Sequence, residues 1–240
     1  MRLYLIRHGQ SFNNARPSED IPRHPDAPLT AIGQQQAETL AAYVKSQPDP
    51  FPIIDPEQVA WEQEGFGIQH LIASPMQRAL QTVLPISQAL GLPITVWDNL
   101  YEYGGIYLET EEGVKGYSGL SRQAMLDLVP HAMLPDSISE DGWWNRPMET
   151  RDECFARGAV VAQRLREFAA EHPDLCVGLV AHQYFLWRVM MGLLCLPTDD
   201  SVLFGLYNSA FSRLDFGEDG RIRVRYVNRY DHLPRSMITT

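Results

Sequence analysis

Short runs of consecutive apolar residues alternate along this chain with longer stretches in which apolar positions recur every three or four residues. The runs predict buried strands and the recurring positions predict amphipathic helices. Residues 2–6 form the first predicted strand, which ends at Arg7-His8-Gly9. A loop rich in polar residues, Pro and Gly follows over 9–28. Thr30 then caps a helix whose Ala37, Leu40, Ala41 and Val44 share one face. Residues 46–68 contain Pro48, Pro50, Pro52 and Pro56 and read as an irregular surface excursion.

Residues 70–73 predict a second strand. Ser74-Pro75 reads as a helix entry, with Ser as N-cap and Pro at the first helical position. Met76, Ala79, Leu80, Val83 and Leu90 form the stripe of that helix, Pro85 is a candidate kink, and Gly91 closes it. Residues 93–97 predict a third strand. Residues 104–148 hold several Gly and Pro, Glu109, Glu111, Glu112 and the pair Trp143-Trp144. They read as a cap with one short helix near 121–129 and no long periodic element. Trp143-Trp144 is expected to be its core. A long helix is predicted over 149–171. The clearest buried strand is 175–181, with His182 at its carboxyl end. A core helix follows over 183–194, and a hairpin of residues 210–216 and 221–227 turns at Gly217-Glu218-Asp219-Gly220.

Strands alternating with helices predict an α/β fold, a three-layer sandwich with a mostly parallel central sheet flanked by helices. A single domain over 1–240 with a cap insertion at about 104–148 is expected. Such sheets bind ligands at the carboxyl ends of their strands. Arg7-His8 and His182 each follow such an end, and Arg78 lies a helical turn beyond another. Three clusters far apart in sequence are thus expected at one rim.

The composition, 45% hydrophobic and 21% charged, suits a globular core and excludes disorder over most of the chain. The formal charge of −10 argues against a broad nucleic-acid-binding face. It leaves room for an anionic substrate held by a local Arg cluster. Cys154, Cys176 and Cys195 are far apart and odd in number, which fits reduced thiols and a cytoplasmic setting. The start is too short for an export signal, and the apolar stretch 184–196 is too short for a membrane span.

Two His and two Arg at one rim make a positive pocket. Guanidinium forks match phosphate oxygens and stay charged. A His held among them can attack phosphorus. Nearby Arg groups stabilise the charge on the transferred oxygens, and a carboxylic acid can protonate the leaving alkoxide.

Arg7-His8-Gly9-Gln10-Ser11-Phe12-Asn13-Asn14 resembles the Arg-His-Gly-Glu-Ser-x-x-Asn signature of the histidine phosphatase superfamily, the phosphoglycerate mutase-like group. Leu29-Thr30-Ala31-Ile32-Gly33-Gln34-Gln35-Gln36-Ala37, Ser74 to Thr82 with Arg78-Ala79 inside, Leu100-Tyr101-Glu102 and Val180-Ala181-His182 resemble four further family blocks, in order. The resemblance implies that His8 becomes a transient phosphohistidine. It implies that Arg7, Arg78 and His182 complete the phosphate pocket, that Glu102 donates the proton, and that Asn14 contacts phosphate. It implies no cofactor and no metal.

Gln10 replaces the usual Glu, and Gln183 replaces the Gly that usually follows the second His, placing a side chain at the pocket. Glu109, Glu111 and Glu112 compete with Glu102 as the acid. Arg16, Arg23, Lys115 and Arg122 are candidates for a second anionic group, each more often a solvated charge. The reading is a metal-independent phosphomonoesterase acting on a small phosphorylated metabolite. The alternatives are phosphoglycerate mutase-type transfer and an inactive phosphate-binding regulatory protein. Where mutases carry Tyr-Gly-x-Leu-x-Gly, this chain has Tyr103-Gly104-Gly105-Ile106-Tyr107, which favours the phosphatase. The cap is expected to set specificity and to crowd out folded protein substrates. No nucleic-acid or membrane partner is expected, and a homodimer through the tail hairpin is left open.

Overall fold

A computed structural model describes residues 1–18, 20–49, 65–144, 146–198 and 200–240. Most of the excursion expected at 46–68 lies outside the described residues. Six strands form one sheet in the order β3-β2-β6-β1-β7-β8. They are β1 (Arg2–Arg7), β2 (His70–Ala73), β3 (Ile94–Val96), β6 (Cys176–Ala181), β7 (Phe211–Phe216) and β8 (Ile222–Arg229). Strands β1, β2, β3 and β6 pair in parallel, and only β7 runs against its neighbours. The sheet is therefore mostly parallel, as the alternation of elements predicts.

Side-chain alternation along the strands sorts the core into two layers. Leu3, Leu5, Val177 and Leu179 pack on one face against α4 (Arg151–Glu171) and α5 (Gln183–Leu193). Tyr4, Ile6, Leu71 and Val180 pack on the other against α1 (Ala31–Ser46), α2 (Gln77–Leu90) and Met125 of α3 (Arg122–Leu128). Helix ends follow local chemistry. The Thr30 hydroxyl accepts from Gly33 N at α1, and Thr150 with Glu153 forms a capping box at α4. Gly91, at φ 68°, closes α2 in the left-handed region.

Two expectations need correction. The α2 entry is not Ser74-Pro75: the cap is Met76, in extended conformation, and the helix starts at Gln77. The Ser74 hydroxyl is taken by His182 and by Met76 N, so the chain turns before it coils. Helix α2 contains Pro85 and continues to Leu90. The cap also holds a hairpin that periodicity did not signal, β4 (Tyr107–Thr110) paired with β5 (Gly113–Gly116). Its residues are largely exposed and polar, so no apolar alternation marks them. Trp144 is buried with Met76, Tyr101 and Ile106, the small core expected of this segment. No helix among the described residues is long and apolar enough to cross a membrane.

Candidate active site

The carboxyl ends of β1, β2 and β6 open into a cavity of about 480 Å³ lined by Arg7, His8, Asn14, Arg78, Glu102 and Gln183, among others. That volume lies within the roughly 300–1,000 Å³ of small-molecule sites. Backbone bonds set its floor. His8 N donates to Ala181 O and Ser74 N to Val180 O, locking the three strand ends together. The His8 and His182 rings stand 5.1 Å apart at their centroids.

His8 is buried, and its Nδ1 lies 2.6 Å from the Gly9 carbonyl oxygen. That contact places the proton on Nδ1 and leaves Nε2 with its lone pair. Arg78 Nε donates to this Nε2 at 3.2 Å. Burial, then Arg78 and Arg7, hold His8 well below the usual imidazole range, so it is neutral. His182 is held neutral by burial and by the same cations. Its Nε2 meets the Ser74 hydroxyl at 2.8 Å, while its buried Nδ1 has no partner.

Arg7 donates through Nη1 to Leu206 O, and its buried Nε is likewise unpartnered. Burial pulls Arg7 down to about 10, so it keeps its charge at neutral pH. Arg78 has Asp26 at 4.0 Å, and Asp26 in turn accepts from Gln77 N, the first N–H of α2. Burial raises the Asp26 carboxyl to about 6 against the pull of Arg78. Two buried guanidinium groups, a polarised imidazole lone pair and unpartnered donors at one floor are complementary to a tetrahedral anion.

Glu102 lines the same cavity. Its carboxylate accepts from Tyr103 N, Tyr184 N and Phe185 N, at 2.8, 3.2 and 3.0 Å. The first turn of α5 therefore fixes its orientation. Its competitors lie elsewhere: Glu109, Glu111 and Glu112 belong to the exposed β4–β5 hairpin, and none lines this cavity. Asn14 commits its side-chain oxygen to Ser11 and Asn208, leaving its NH2 for a ligand. Of the four candidate second-anion groups only Arg23 lines the cavity. Arg122 instead donates to the carbonyls of Leu134, Pro135 and Ile138.

Among the described residues of 104–148 none lines the cavity directly. The cap packs over Met76 and Tyr101, bridges β3 through Met133 and brings Tyr107 into electrostatic reach of Arg23 and Glu102 at the cavity. One further expectation fails here. The helix over 183–194 is more than core, since Tyr184 and Trp187 line the cavity. With them come Leu203, Phe204 and Gly205, from an irregular segment without periodic pattern.

A layer beneath these residues, drawn largely from the same motif blocks, supports the His8 loop. Gly9 N donates to the Thr82 hydroxyl, and Gln10 N to Gln36 Oε1. Asn208 Nδ2 donates to His8 O. Gly9 and Gly33 meet so closely that a Cβ on Gly33 would lie 2.1 Å from Gln10 O. Only the absence of a side chain lets α1 press on the loop that follows His8.

The sequence model of the histidine phosphatase superfamily (branch 1) matches residues 3–54 and 55–229, and the chain belongs to that superfamily. A probable phosphoglycerate mutase GpmB of Yersinia enterocolitica is 28% identical over 220 residues, 91% of this chain and 86% of that protein. The phosphoserine phosphatase of Entamoeba histolytica, solved with 3-phosphoglyceric acid, has the same fold at TM-score 0.62 and 18% identity, covering 97% of this chain and 99% of that one. A mycobacterial glucosyl-3-phosphoglycerate phosphatase matches at TM-score 0.59 and 21% identity, over 95% of this chain and 99% of that one.

Proposed function

We propose that this chain is a phosphomonoesterase that hydrolyses a small organic phosphate through a phosphohistidine on His8, without a metal. The observation that carries this reading is the neutral, buried His8, its Nδ1 held by Gly9 O, its Nε2 met by Arg78 Nε, with Arg7 in the same cavity and the His182 ring beside it. The positive charge that a metal would supply to the phosphoryl oxygens comes from Arg7 and Arg78.

In the first step the Nε2 lone pair of His8 attacks phosphorus and the ester P–O bond breaks. The Arg78 guanidinium passes from Nε2 to the phosphoryl oxygens as the N–P bond forms. The departing oxygen takes a proton from the Glu102 carboxyl group. In the second step Glu102 accepts a proton from water as that water attacks phosphorus. The N–P bond breaks, inorganic phosphate leaves and His8 is restored.

The name of the curated relatives favours a second reading, phosphoryl return to another hydroxyl instead of water. One experiment separates the readings. Phosphate release from an aryl phosphate, phosphoserine and 3-phosphoglycerate is measured for wild type and His8→Ala, each with and without EDTA, and the 3-phosphoglycerate reaction is searched for the 2-isomer. EDTA-resistant phosphate release by wild type alone is expected. Isomerisation without net phosphate release would establish the mutase. Equal activity in His8→Ala would overturn both.

A further inference from the structure

The phosphate floor occupies one end of the cavity, and the rest of its lining divides sharply by chemistry. One wall is Tyr184, Trp187, Leu203 and Phe204. Trp187 Nε1 donates to Val202 O at 2.8 Å, and the Tyr184 hydroxyl accepts from Arg188 Nη2 at 2.6 Å while keeping its own O–H as a donor. Apart from that one donor, what these side chains offer a ligand is ring surface. Leu203 is 70% exposed, and in company with three aromatic rings it extends an apolar patch instead of standing alone.

The wall is also pre-set. The Arg188 guanidinium lies 3.5 Å over the Trp187 ring and 4.6 Å over Tyr184, and it is anchored by Asp200 at 2.7 Å. The 202–206 segment is tied at both ends, by Trp187 at Val202 O and by catalytic Arg7 at Leu206 O. The second tie couples the wall directly to the phosphate floor, so the distance between them is set before substrate arrives. The opposite lining is polar but mostly engaged. The Asn13 side chain is closed on His24 N and O, and Asn14 gives its oxygen to Ser11 and Asn208. Among the described lining residues Arg23 is the single cation outside the phosphate floor, and it is exposed.

We infer that Tyr184, Trp187, Leu203 and Phe204 form a leaving-group subsite, and that the substrates are phosphomonoesters whose alcohol or phenol part carries an aromatic or extended alkyl group. The inference rests on the phosphomonoesterase reading and adds the substrate class to it. Short polar phospho-acids would leave this wall uncovered.

The test is a series of n-alkyl phosphates from ethyl to octyl. Their leaving alcohols are nearly equally acidic, so bond cleavage costs the same across the series and only contact with the wall varies. The expected result is a kcat/KM that climbs up to about fourfold per added methylene until the wall is covered. Leu203→Ser replaces an exposed side chain and leaves the fold unburdened. It is expected to lower the hexyl-to-ethyl ratio of kcat/KM by at least about threefold. An active enzyme with a flat series, or a Leu203→Ser ratio equal to wild type, overturns the subsite and leaves the phosphatase reading standing. No turnover of any ester, with no labelled phosphate trapped on His8, overturns the phosphatase reading and this inference with it.

Discussion

Asp26 is a carboxylate in a place that does not favour one, and replacing it with Asn should stabilise the protein in a pH-dependent way. The group is 6% exposed and has Arg78 as its cation at 4.0 Å. Burial outweighs that cation and raises its carboxyl from 3.8 to about 6. The fold therefore retains a proton that the unfolded chain has already lost between those two values, and stability falls as pH rises through that window. Above it the deficit is complete, about 3 kcal/mol. At pH 4.5 the deficit is only about 1 kcal/mol. Asn imitates the protonated acid, still accepts from Gln77 N and does not ionise. Urea denaturation of wild type and Asp26→Asn at the two ends of this range should show the variant ahead by about 1 kcal/mol at pH 4.5 and about 3 kcal/mol at pH 8. A gap that does not change with pH, or a variant less stable at pH 8, would falsify the reasoning. A deficit of that size is a large share of a typical domain's roughly 5–15 kcal/mol.

Other expectations follow from the same geometry. Ser74→Ala leaves the buried His182 ring without a partner on either nitrogen, and kcat should fall about 10- to 100-fold with a smaller change in KM; an unchanged kcat would show that His182 needs no orienting hydroxyl. Gly33→Ala drives a methyl group against Gln10 O, so the urea midpoint should drop by the equivalent of about 1–3 kcal/mol and phosphate release should fall with it. Because burial and two arginines depress His8, its protonation should not limit kcat/KM near neutrality. The acid limb of the pH profile belongs well below the usual imidazole range, and a limb centred at or above 6.5 would contradict the assignment.

The parts of this molecule that could be read from sequence are those with a period or a fixed spacing. Strand β6 is a continuous apolar run because both of its faces are covered, and α1 shows its stripe because only one face is. Arg7, His8, Arg78 and His182 could be placed together from sequence because each lies close after a strand end. The apolar wall was missed because Leu203 and Phe204 lie in irregular chain. An exposed Leu there gives the same signal as any surface Leu. The cap is less legible: composition marks it as an insertion, but nothing local to it says which surface it packs on. Ser74 shows the opposite error. Ser-Pro is a sound helix-entry signal, and the structure overrides it because a histidine more than a hundred residues away takes the hydroxyl.

The strand order has a consequence for synthesis of the chain. Strand β1, which ends at Arg7-His8, lies between β6 and β7, and β6 also separates it from β2. A nascent chain that has emerged through α3 thus has the first three strands of the main sheet but lacks the one that unites them. Until residue 176 follows, Leu3 and Leu5 have no parallel neighbour, and the strand that carries Arg78 toward His8 has nothing to join it to β1. Interrupted translation would release fragments with sticky apolar edges and no chemistry, well suited to recognition by chaperones and proteases. The cavity at the strand ends arises only late, when one strand slots into the gap and joins the two parts of the parallel sheet.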